Sequence, residues 1–457
     1  MNQTLVLNVV GLTPALLEYA PNLKQLADQG AMRPIDTITP AVTTSVQSTM
    51  LTGTLPREHG IVGNGWYFRD LSEILFWRQS NHLVHGEKVW EAARKRDASF
   101  TCANLFWWYD MYSTVDIAVT PRPMYPADGR KLPDIHTHPN ELRDKLQDEL
   151  GQFPLFNFWG PMANIVSTQW IVQSALKIFE RDKPTLTLVY LPHLDYNLQR
   201  LGPNHPSIAH DVAQVDAECA VLIKAAKLVG AEIIVLSEYG ITEVNRPIHI
   251  NRALRQAGWL QVRNELGREL LDAGASAAFA VADHQIAHIY ISHKELINDV
   301  ANLLRSLPGV EQVLDETGKQ ALGLDHPRSG ELIVIAKADS WFTYYHFYDD
   351  DKAPDYARTV DIHRKPGYDP VELLIDPALK LPKLRIAARL AQKKLGMRYL
   401  MDVISLDASL IKGSHGRPTD VPDEGPLFIT SKPELLNDEA VAATDIKNLL
   451  LAHIFGK

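Results

Sequence analysis

Three strand-length apolar runs, separated by helical stretches, constrain the fold of this chain more than any other feature. The first run spans residues 5–10, and "PTLTLVYLP" (184–192) and "AEIIVLSEYG" (231–240) follow later. The stretches at 20–31 and 208–230 have helical spacing of their apolar residues. Continuous apolar runs are typical of strands buried on both faces of a parallel sheet. The alternation predicts an α/β fold with a mainly parallel central sheet flanked by helices.

The residues that follow these runs are the first candidates for a site, because ligands of such sheets bind beyond the carboxyl ends of the strands. His193 and Asp195 follow the second run, and Glu238 follows the third. Asp195 is a candidate metal ligand, with a helix cap as the alternative. Further histidines and one lysine in polar loops are weaker candidates: His284 in "FAVADHQIAH", His363 and Lys365 in "VDIHRKPGYDP", and His415 in "GSHGR".

A hydroxyl-rich stretch, "ITPAVTTSVQSTMLTGTLPREHGIVGN" (38–64), is the candidate for a nucleophile. Thr43 stands where a helix is expected to begin, and backbone N–H groups at a helix N-terminus attract phosphate. A threonine hydroxyl needs a base or a metal to become nucleophilic. Simple capping of the helix by threonine or serine is the alternative interpretation of this stretch.

Two regions interrupt the alternation of strands and helices. Residues 65–165 are rich in aromatic residues, proline and glycine and are expected to form long ordered loops. Residues 278–337 have the order strand, helix, strand, strand, which predicts a small inserted α+β cap. The expected division is a core in two parts, 1–277 and 338–457, with the cap between them.

Composition excludes several classes of protein. The 457 residues carry a formal net charge of -9, which argues against a partner such as duplex nucleic acid. The basic runs at 93–97 and 389–398 are interpreted as solvated helix faces. The two cysteines have no CxxC spacing. With no signal-peptide pattern and no long apolar segment, the expectation is a cytoplasmic protein without a membrane partner. No feature of the sequence indicates the oligomeric state.

Taken in order, the motifs resemble the nucleotide pyrophosphatase/phosphodiesterase family (type I phosphodiesterase-like) of the alkaline phosphatase superfamily. "TGTLPREHGIVGN" is very close to that family's "TG..P..HGIVGN" run and is the most specific match. "VVGLTPALLEYAPNLKQLADQGA", "GEKVWEAARK", "LPHLDYNLQRLGP", "LSEYGI" and "GSHGR" are similar to its other motifs. The cap, with "DHPRSGELIVIA", looks like that of phosphonoacetate hydrolases.

The resemblance implies an alkaline phosphatase-like core and a hydrolase of phosphate esters, diesters or phosphonates. Thr43 falls on the family's nucleophile, which attacks phosphorus to give a phosphothreonine intermediate while two zinc ions bind the phosphoryl oxygens. The expected cofactor is therefore a divalent metal, zinc first and manganese or magnesium otherwise, as one or two ions. The metal ligands expected here are Asp195, Glu238, His415, Asn8 and His363. The residues expected to bind a small phosphate or phosphonate substrate are Gln47, His193, His284 and Lys365.

Several family positions are changed in this chain. The first metal aspartate of the family falls on Val10, with Asn8 two residues earlier, and one metal histidine falls on Gln199. The family's Asp-His pair is Glu238-Tyr239 here. These changes motivate a second hypothesis, a metal-poor relative that binds a phosphorylated or sulfated ligand, or a partner protein, without hydrolysis.

Overall fold

The computed structural model of the chain describes residues 1–436 and 438–456. Its strands are short, and the longest have six residues. In chain order they are β1 (Thr4–Val9), β2 (Ala31–Asp36), β3 (Gly65–Phe68), β4 (Glu73–Phe76), β5 (Cys102–Leu105), β6 (Ile117–Pro121), β7 (Ile135–His138), β8 (Leu186–Leu191), β9 (Glu232–Leu236), β10 (Thr242–Glu243), β11 (Arg246–Ile248), β12 (Gln261–Glu265), β13 (Arg268–Asp272), β14 (Ala278–Asp283), β15 (Ile286–Ile291), β16 (Val310–Leu314), β17 (Leu332–Ala336), β18 (Ser340–Phe342), β19 (Gly413–Ser414), β20 (Leu427–Thr430) and β21 (Val441–Ala442).

The α-helices range from single turns to 21 residues. They are α1 (Pro21–Gln29), α2 (Thr43–Thr52), α3 (Pro56–His59), α4 (Val89–Arg96), α5 (Leu142–Leu150), α6 (Leu155–Phe158), α7 (Ile165–Asp182), α8 (His193–Leu201), α9 (Ile208–Leu228), α10 (Ile250–Gln256), α11 (Ile297–Ser306), α12 (Glu316–Ala321), α13 (Pro382–Lys394) and α14 (Ile446–Phe455).

A nine-stranded sheet with the order β21-β2-β20-β9-β1-β8-β5-β6-β7 forms the centre of the molecule. The strands β9, β1, β8, β5 and β6 run parallel, while β20 and β7 run antiparallel to their neighbours. All six residues of β1 and of β8 are buried, as continuous apolar runs require. Helices α1, α7 and α9 pack together as one group, and α2, α4 and α14 as another. The predicted mainly parallel α/β fold is confirmed.

The region expected to be loops, 65–165, instead supplies three strands of this sheet, β5, β6 and β7. The expectation failed because these strands have only four or five residues, and β6 ends in a proline next to the antiparallel edge strand β7. Their apolar signal is therefore too short to stand out among the aromatic residues that surround it.

A second sheet, with the order β14-β15-β17-β16, is antiparallel throughout. The single strand expected at 278–291 is a hairpin, because His284 adopts a positive φ of 61° and turns the chain between β14 and β15. The hydrophobic cluster under this sheet also takes in Ile248, Leu254 and Phe342, which lie outside 278–337. The packed unit is thus larger than the inserted segment.

The remaining general expectations concern cysteine and membrane spans. Cys102 and Cys219 are both buried and free. Within residues 1–436 and 438–456, no helix combines the length and apolar character that crossing a bilayer requires.

Candidate functional site

The site lies where three neighbouring parallel strands, β9, β1 and β8, end at one edge of the central sheet. Asn8 is the fifth residue of β1, Asp195 is in the first turn of α8 just after β8, and Glu238 and Tyr239 follow β9. All four residues are buried. Parallel strand ends converge at the same edge, so residues far apart in sequence meet here.

Thr43 is the first residue of α2 and its side chain is buried. The capping position before it is held by Val42 in an extended conformation, and no side chain caps this helix. Thr43 is therefore not acting as the helix cap that its sequence context allows. Ala41 pairs with Gly416, which brings the "GSHGR" segment directly beside the start of α2.

A chain of hydrogen bonds leads away from the Thr43 hydroxyl. Thr43 Oγ1 lies 3.1 Å from Tyr239 OH, and Tyr239 OH donates to Asp195 Oδ1 at 3.4 Å. Since the phenol donates to the carboxylate, its oxygen is free to accept the Thr43 hydroxyl. Gln199 Nε2 donates to Asp195 Oδ2 at 2.7 Å, and Tyr368 OH donates to Gln199 Oε1 at 3.0 Å. Burial raises the pKa of Asp195 to about 7.

Glu238 is held by two amide groups on the other side of Thr43. Asn8 Nδ2 and Gln47 Nε2 both donate to Glu238 Oε1, each at 2.6 Å. Gln47 Oε1 in turn accepts from the backbone N–H of Trp108 at 2.6 Å. Burial raises the pKa of Glu238 to about 8, although the hydrogen bonds from Gln47 and Asn8 act to lower it. Glu238 Oε2 is buried without a partner, so it is the oxygen that carries the proton when the group is neutral.

Four rings form a continuous stack across the site, in the order Tyr239, His415, His284, Tyr368. The successive ring centroids are 3.6, 3.7 and 3.6 Å apart. His415 Nδ1 donates to the carbonyl of Ala41 at 2.8 Å, which turns Nε2 toward Asp195 Oδ1 at 4.0 Å. Burial lowers the pKa of both histidines well below the ordinary value, so both rings are neutral near pH 7.

Asp283 and Asn64 connect the turn between β14 and β15 to the start of α2. His284 Nδ1 donates to Asp283 Oδ1 at 2.7 Å, while Asp283 Oδ2 accepts the backbone N–H of Asn64 at 2.7 Å. Asn64 Oδ1 then accepts from Thr44 N at 3.1 Å. His284 Nε2 is left buried and unpartnered. Asn64 is the last residue of the "HGIVGN" run. This motif could therefore have identified Asn64 as a site residue from the sequence.

Six of the residues proposed from the sequence thus lie around Thr43, and three do not. The residues around it are Asn8, Gln47, Asp195, Glu238, His284 and His415. His193 contacts Gln214 and Asp211 of α9, at 3.3 and 3.8 Å. His363 Nδ1 bonds the carbonyl of Phe76 at 3.3 Å.

Lys365 is the third residue that lies apart from Thr43. Its ammonium group is buried between Asp369 and Glu372, at 2.7 and 2.8 Å. The site also contains three residues to which the sequence analysis assigned no role: Tyr239, Gln199 and Tyr368.

The donor set does not fit the pair of metal ions that the resemblance implies. Glu238 Oε1 is occupied by two amide donors, and the phenol of Tyr239 lies beside Thr43 where the family has an imidazole. Both ends of the Gln199 amide are also engaged. Asp195 Oδ1, whose bond from Tyr239 OH is long at 3.4 Å, lies 4.0 Å from His415 Nε2, and these two atoms are the closest pair of candidate donors for a single ion. Glu238 Oε2 and Asn8 Oδ1 are also buried without a hydrogen-bond partner among the described residues. Across the described part of the chain, no three His, Cys, Asp or Glu side chains are grouped so that they could hold a metal.

Solved structures with the same fold include two kinds of hydrolase. Murine ectonucleotide pyrophosphatase/phosphodiesterase 5, as an inactive variant with AMP, matches with a TM-score of 0.59 and 14% identity, covering 100% of this chain and 95% of that chain. Phosphonoacetate hydrolase from Sinorhizobium meliloti 1021 with phosphonoacetate matches with a TM-score of 0.64 and 15% identity, covering 99% and 96%. At these identities the matches establish the fold.

The family is established by a sequence match. The model of the family "Type I phosphodiesterase / nucleotide pyrophosphatase" matches residues 4–369, which include every strand-end residue of the site except His415. No curated protein sequence matches significantly. Members of this family are hydrolases and generally depend on divalent metal ions. The chain belongs to the type I phosphodiesterase/nucleotide pyrophosphatase family.

Proposed function

We propose that this chain hydrolyses a small phosphate ester, phosphodiester or phosphonate, with Thr43 as the nucleophile. The observation that carries the proposal is the position of the Thr43 hydroxyl, at the start of a ten-residue helix and hydrogen-bonded to Tyr239 beside Asp195. The solved neighbours bind AMP or phosphonoacetate, and both ligands carry a phosphorus centre. This supports a phosphorylated or phosphonate substrate.

The start of α2 suits the phosphoryl group for electrostatic reasons. Its dipole and the N–H groups of its first turn favour an anion next to Thr43, although Thr44 N already donates to Asn64 Oδ1. His284 is the residue proposed here for a further substrate contact, because its Nε2 lone pair is buried and has no partner among the described residues. Gln47 acts differently from the expectation, since both ends of its amide are used to hold Glu238 and Trp108 N. It positions Glu238.

The proposed reaction has two displacements at phosphorus. In the first, Thr43 Oγ1 bonds to phosphorus while the bond to the leaving group breaks, and the hydroxyl proton moves through Tyr239 to Asp195. The leaving group departs with the bonding electrons and is protonated by water. In the second, water attacks the phosphothreonine, and the Thr43 oxygen leaves and regains a proton through Tyr239. The attacking water gives its own proton to the released phosphate. Zinc, manganese or magnesium remains a sequence-based prediction; Asp195 Oδ1 and His415 Nε2, which lie 4.0 Å apart, would hold a single ion, with Glu238 Oε2 as a further unpartnered oxygen among the described residues.

The test measures release of nitrophenol from nitrophenyl phosphate monoesters, diesters and phosphonates. Each assay is run with chelator and with added zinc, manganese or magnesium. Thr43→Ala is expected to abolish turnover, whereas Thr43→Ser should retain part of it and Thr54→Ala, outside the site, should match the parent. Acid quenching followed by intact mass is expected to show one phosphoryl group on the parent and none on Thr43→Ala.

The second hypothesis, binding without hydrolysis, is favoured by one observation. Glu238, at a family metal position, has one oxygen held by two amides and a raised pKa, which suits a structural carboxyl. Two results together would establish the binding role and exclude catalysis by Thr43. The parent and Thr43→Ala would have equal, trivial rates under every metal condition, and both would bind a nitrophenyl ester with measurable affinity.

A further inference from the structure

Helix α13 presents its apolar side away from the protein. None of its residues, Pro382–Lys394, is buried. Leu384, Ala388, Ala391 and Leu395 follow each other at spacings of four, three and four, so they form one stripe along the helix. All four are exposed, and Leu384 and Leu395 keep 64% and 76% of their surface accessible. An amphipathic helix of a globular protein normally directs such a stripe toward the core.

The opposite side of α13 is the side that attaches it to the molecule. Ile386 packs against a hydrophobic cluster of the protein. Arg385 and Arg389 both pair with Asp402, the latter at 3.0 Å, and Lys393 Nζ lies 5.8 Å from the ring centre of Phe156. These contacts fix the rotation of the helix about its axis. The exposure of the leucines is therefore a consequence of how α13 is held.

The charge around the stripe is strongly one-sided. Residues 377–401 contain seven lysine and arginine residues and no aspartate or glutamate, in a chain whose net charge is -9. In the described part of the chain, no ion pair engages Lys380, Lys383, Lys394 or Arg398. At 100° per residue, Lys383 and Lys394 lie beside one border of the stripe, and Arg385, whose guanidinium pairs with Asp402, lies between the other border and the attached side. The segment continues with exposed Met397 and Leu400.

We propose that α13 with its flanks, residues 380–400, binds the surface of an anionic lipid bilayer. An apolar stripe bordered by cations is the arrangement by which a helix lies in the interface, with leucines among the acyl chains and lysines at the headgroups. Charge complementarity selects anionic lipid. The helix is too short to span a bilayer, so the protein would be held at the surface. In the basic run at 389–398, interpreted from the sequence as a solvated face, Lys394 and Arg398 are then lipid contacts, whereas Arg389 and Lys393 hold the helix to the protein.

The experiment is flotation of the full chain with vesicles of phosphatidylcholine alone or mixed with phosphatidylglycerol. The parent is expected to float only with the mixed vesicles, and less as salt is raised. Lys383→Gln with Lys394→Gln is expected to lower the partition coefficient about 30-fold. Leu384→Asp with Leu395→Asp should reduce flotation to background. Leu228→Asp, which changes an equally exposed leucine on α9, is the matched control and should float like the parent.

Other occupants of this face would give different results. The proposal is overturned if the parent fails to float with phosphatidylglycerol, or if the double leucine variant floats as well as the parent. It is also overturned if sedimentation velocity shows a parent dimer that the double leucine variant loses, because the stripe would then contact a second copy. Circular dichroism and thermal melts of all variants establish that they are folded, so a loss of flotation is assigned to the surface.

Discussion

Replacing Lys365 by methionine distinguishes two roles of this lysine. The sequence predicts that it binds phosphate, whereas its contacts indicate a structural role. The ammonium group is 1% exposed and lies 2.7 Å from Asp369 and 2.8 Å from Glu372. Burial lowers the pKa of Lys365, but the two carboxylates outweigh it and the pKa is raised. Methionine keeps the volume and removes the charge, which leaves two buried carboxylates facing each other.

The expected loss in the free energy of unfolding is about 3–5 kcal/mol, since removing one partner of a buried ion pair leaves an uncompensated charge. Burial already raises the pKa of Asp369, with Lys365 opposing the rise, so the variant's Asp369 pKa should lie higher still. A carboxyl whose pKa is higher in the folded than in the unfolded state destabilises the fold as the pH rises from the unfolded pKa to the folded one. The deficit should therefore be larger at pH 8 than at pH 5.

Urea unfolding followed by tryptophan fluorescence at both pH values measures this deficit. Lys177→Met is the matched control, because Lys177 pairs with Glu149 at 2.9 Å but is 36% exposed, and a surface pair contributes about 0–1 kcal/mol. A Lys365→Met variant that unfolds like the control, yet loses affinity for nitrophenyl phosphate, would refute the structural role and restore Lys365 as a substrate contact.

Three further outcomes are expected. Gly240→Ala places a new methyl group 1.7 Å from the carbonyl oxygen of Glu424 and should lower the free energy of unfolding by about 1–3 kcal/mol; an unchanged urea midpoint would contradict this. Tyr239→Phe removes the hydroxyl that contacts the nucleophile and should slow turnover roughly 100-fold or more, with unchanged kcat as the opposing result. Asn8→Asp with Tyr239→His adds a carboxylate and an imidazole and should gain one zinc ion by elemental analysis. Parent protein that already holds zinc and loses it on Glu238→Gln would show that this position binds metal without redesign.

The fold was predictable where strands are long and uniformly apolar. Residues 5–10 and 184–192 needed no further information, because a run of that kind is stable only when buried on both faces. Strands β5 and β7 were missed since four residues among aromatic and proline-rich sequence carry too little periodicity. The hairpin at 278–291 was missed because its turn places a positive φ on His284, which has no glycine or asparagine signature.

The candidate site was partly predictable for a related reason. Strand-end residues such as Asp195 and Glu238 follow from the topology of a parallel sheet, and the motif register locates Thr43. The partners of these groups do not follow, because they are set by side-chain directions across the fold. The sequence does not show that Glu238 accepts from the Asn8 amide, which is 230 positions away. Nor does it show that Lys365 is buried against Asp369, which is 4 positions away.

The stack of Tyr239, His415, His284 and Tyr368 limits which ligands the site can admit. Both faces of the two imidazoles are covered by neighbouring rings, and Tyr368 also lies against Trp77 and Trp159, with centroids 6.1 and 5.8 Å away. A flat ligand such as a nucleobase finds no vacant aromatic face between these rings and would have to separate the hairpin from the core to insert there. Discrimination among substrates at this wall therefore has to come from ring edges and hydroxyl groups, and an aromatic leaving group such as nitrophenyl has to lie outside the stack.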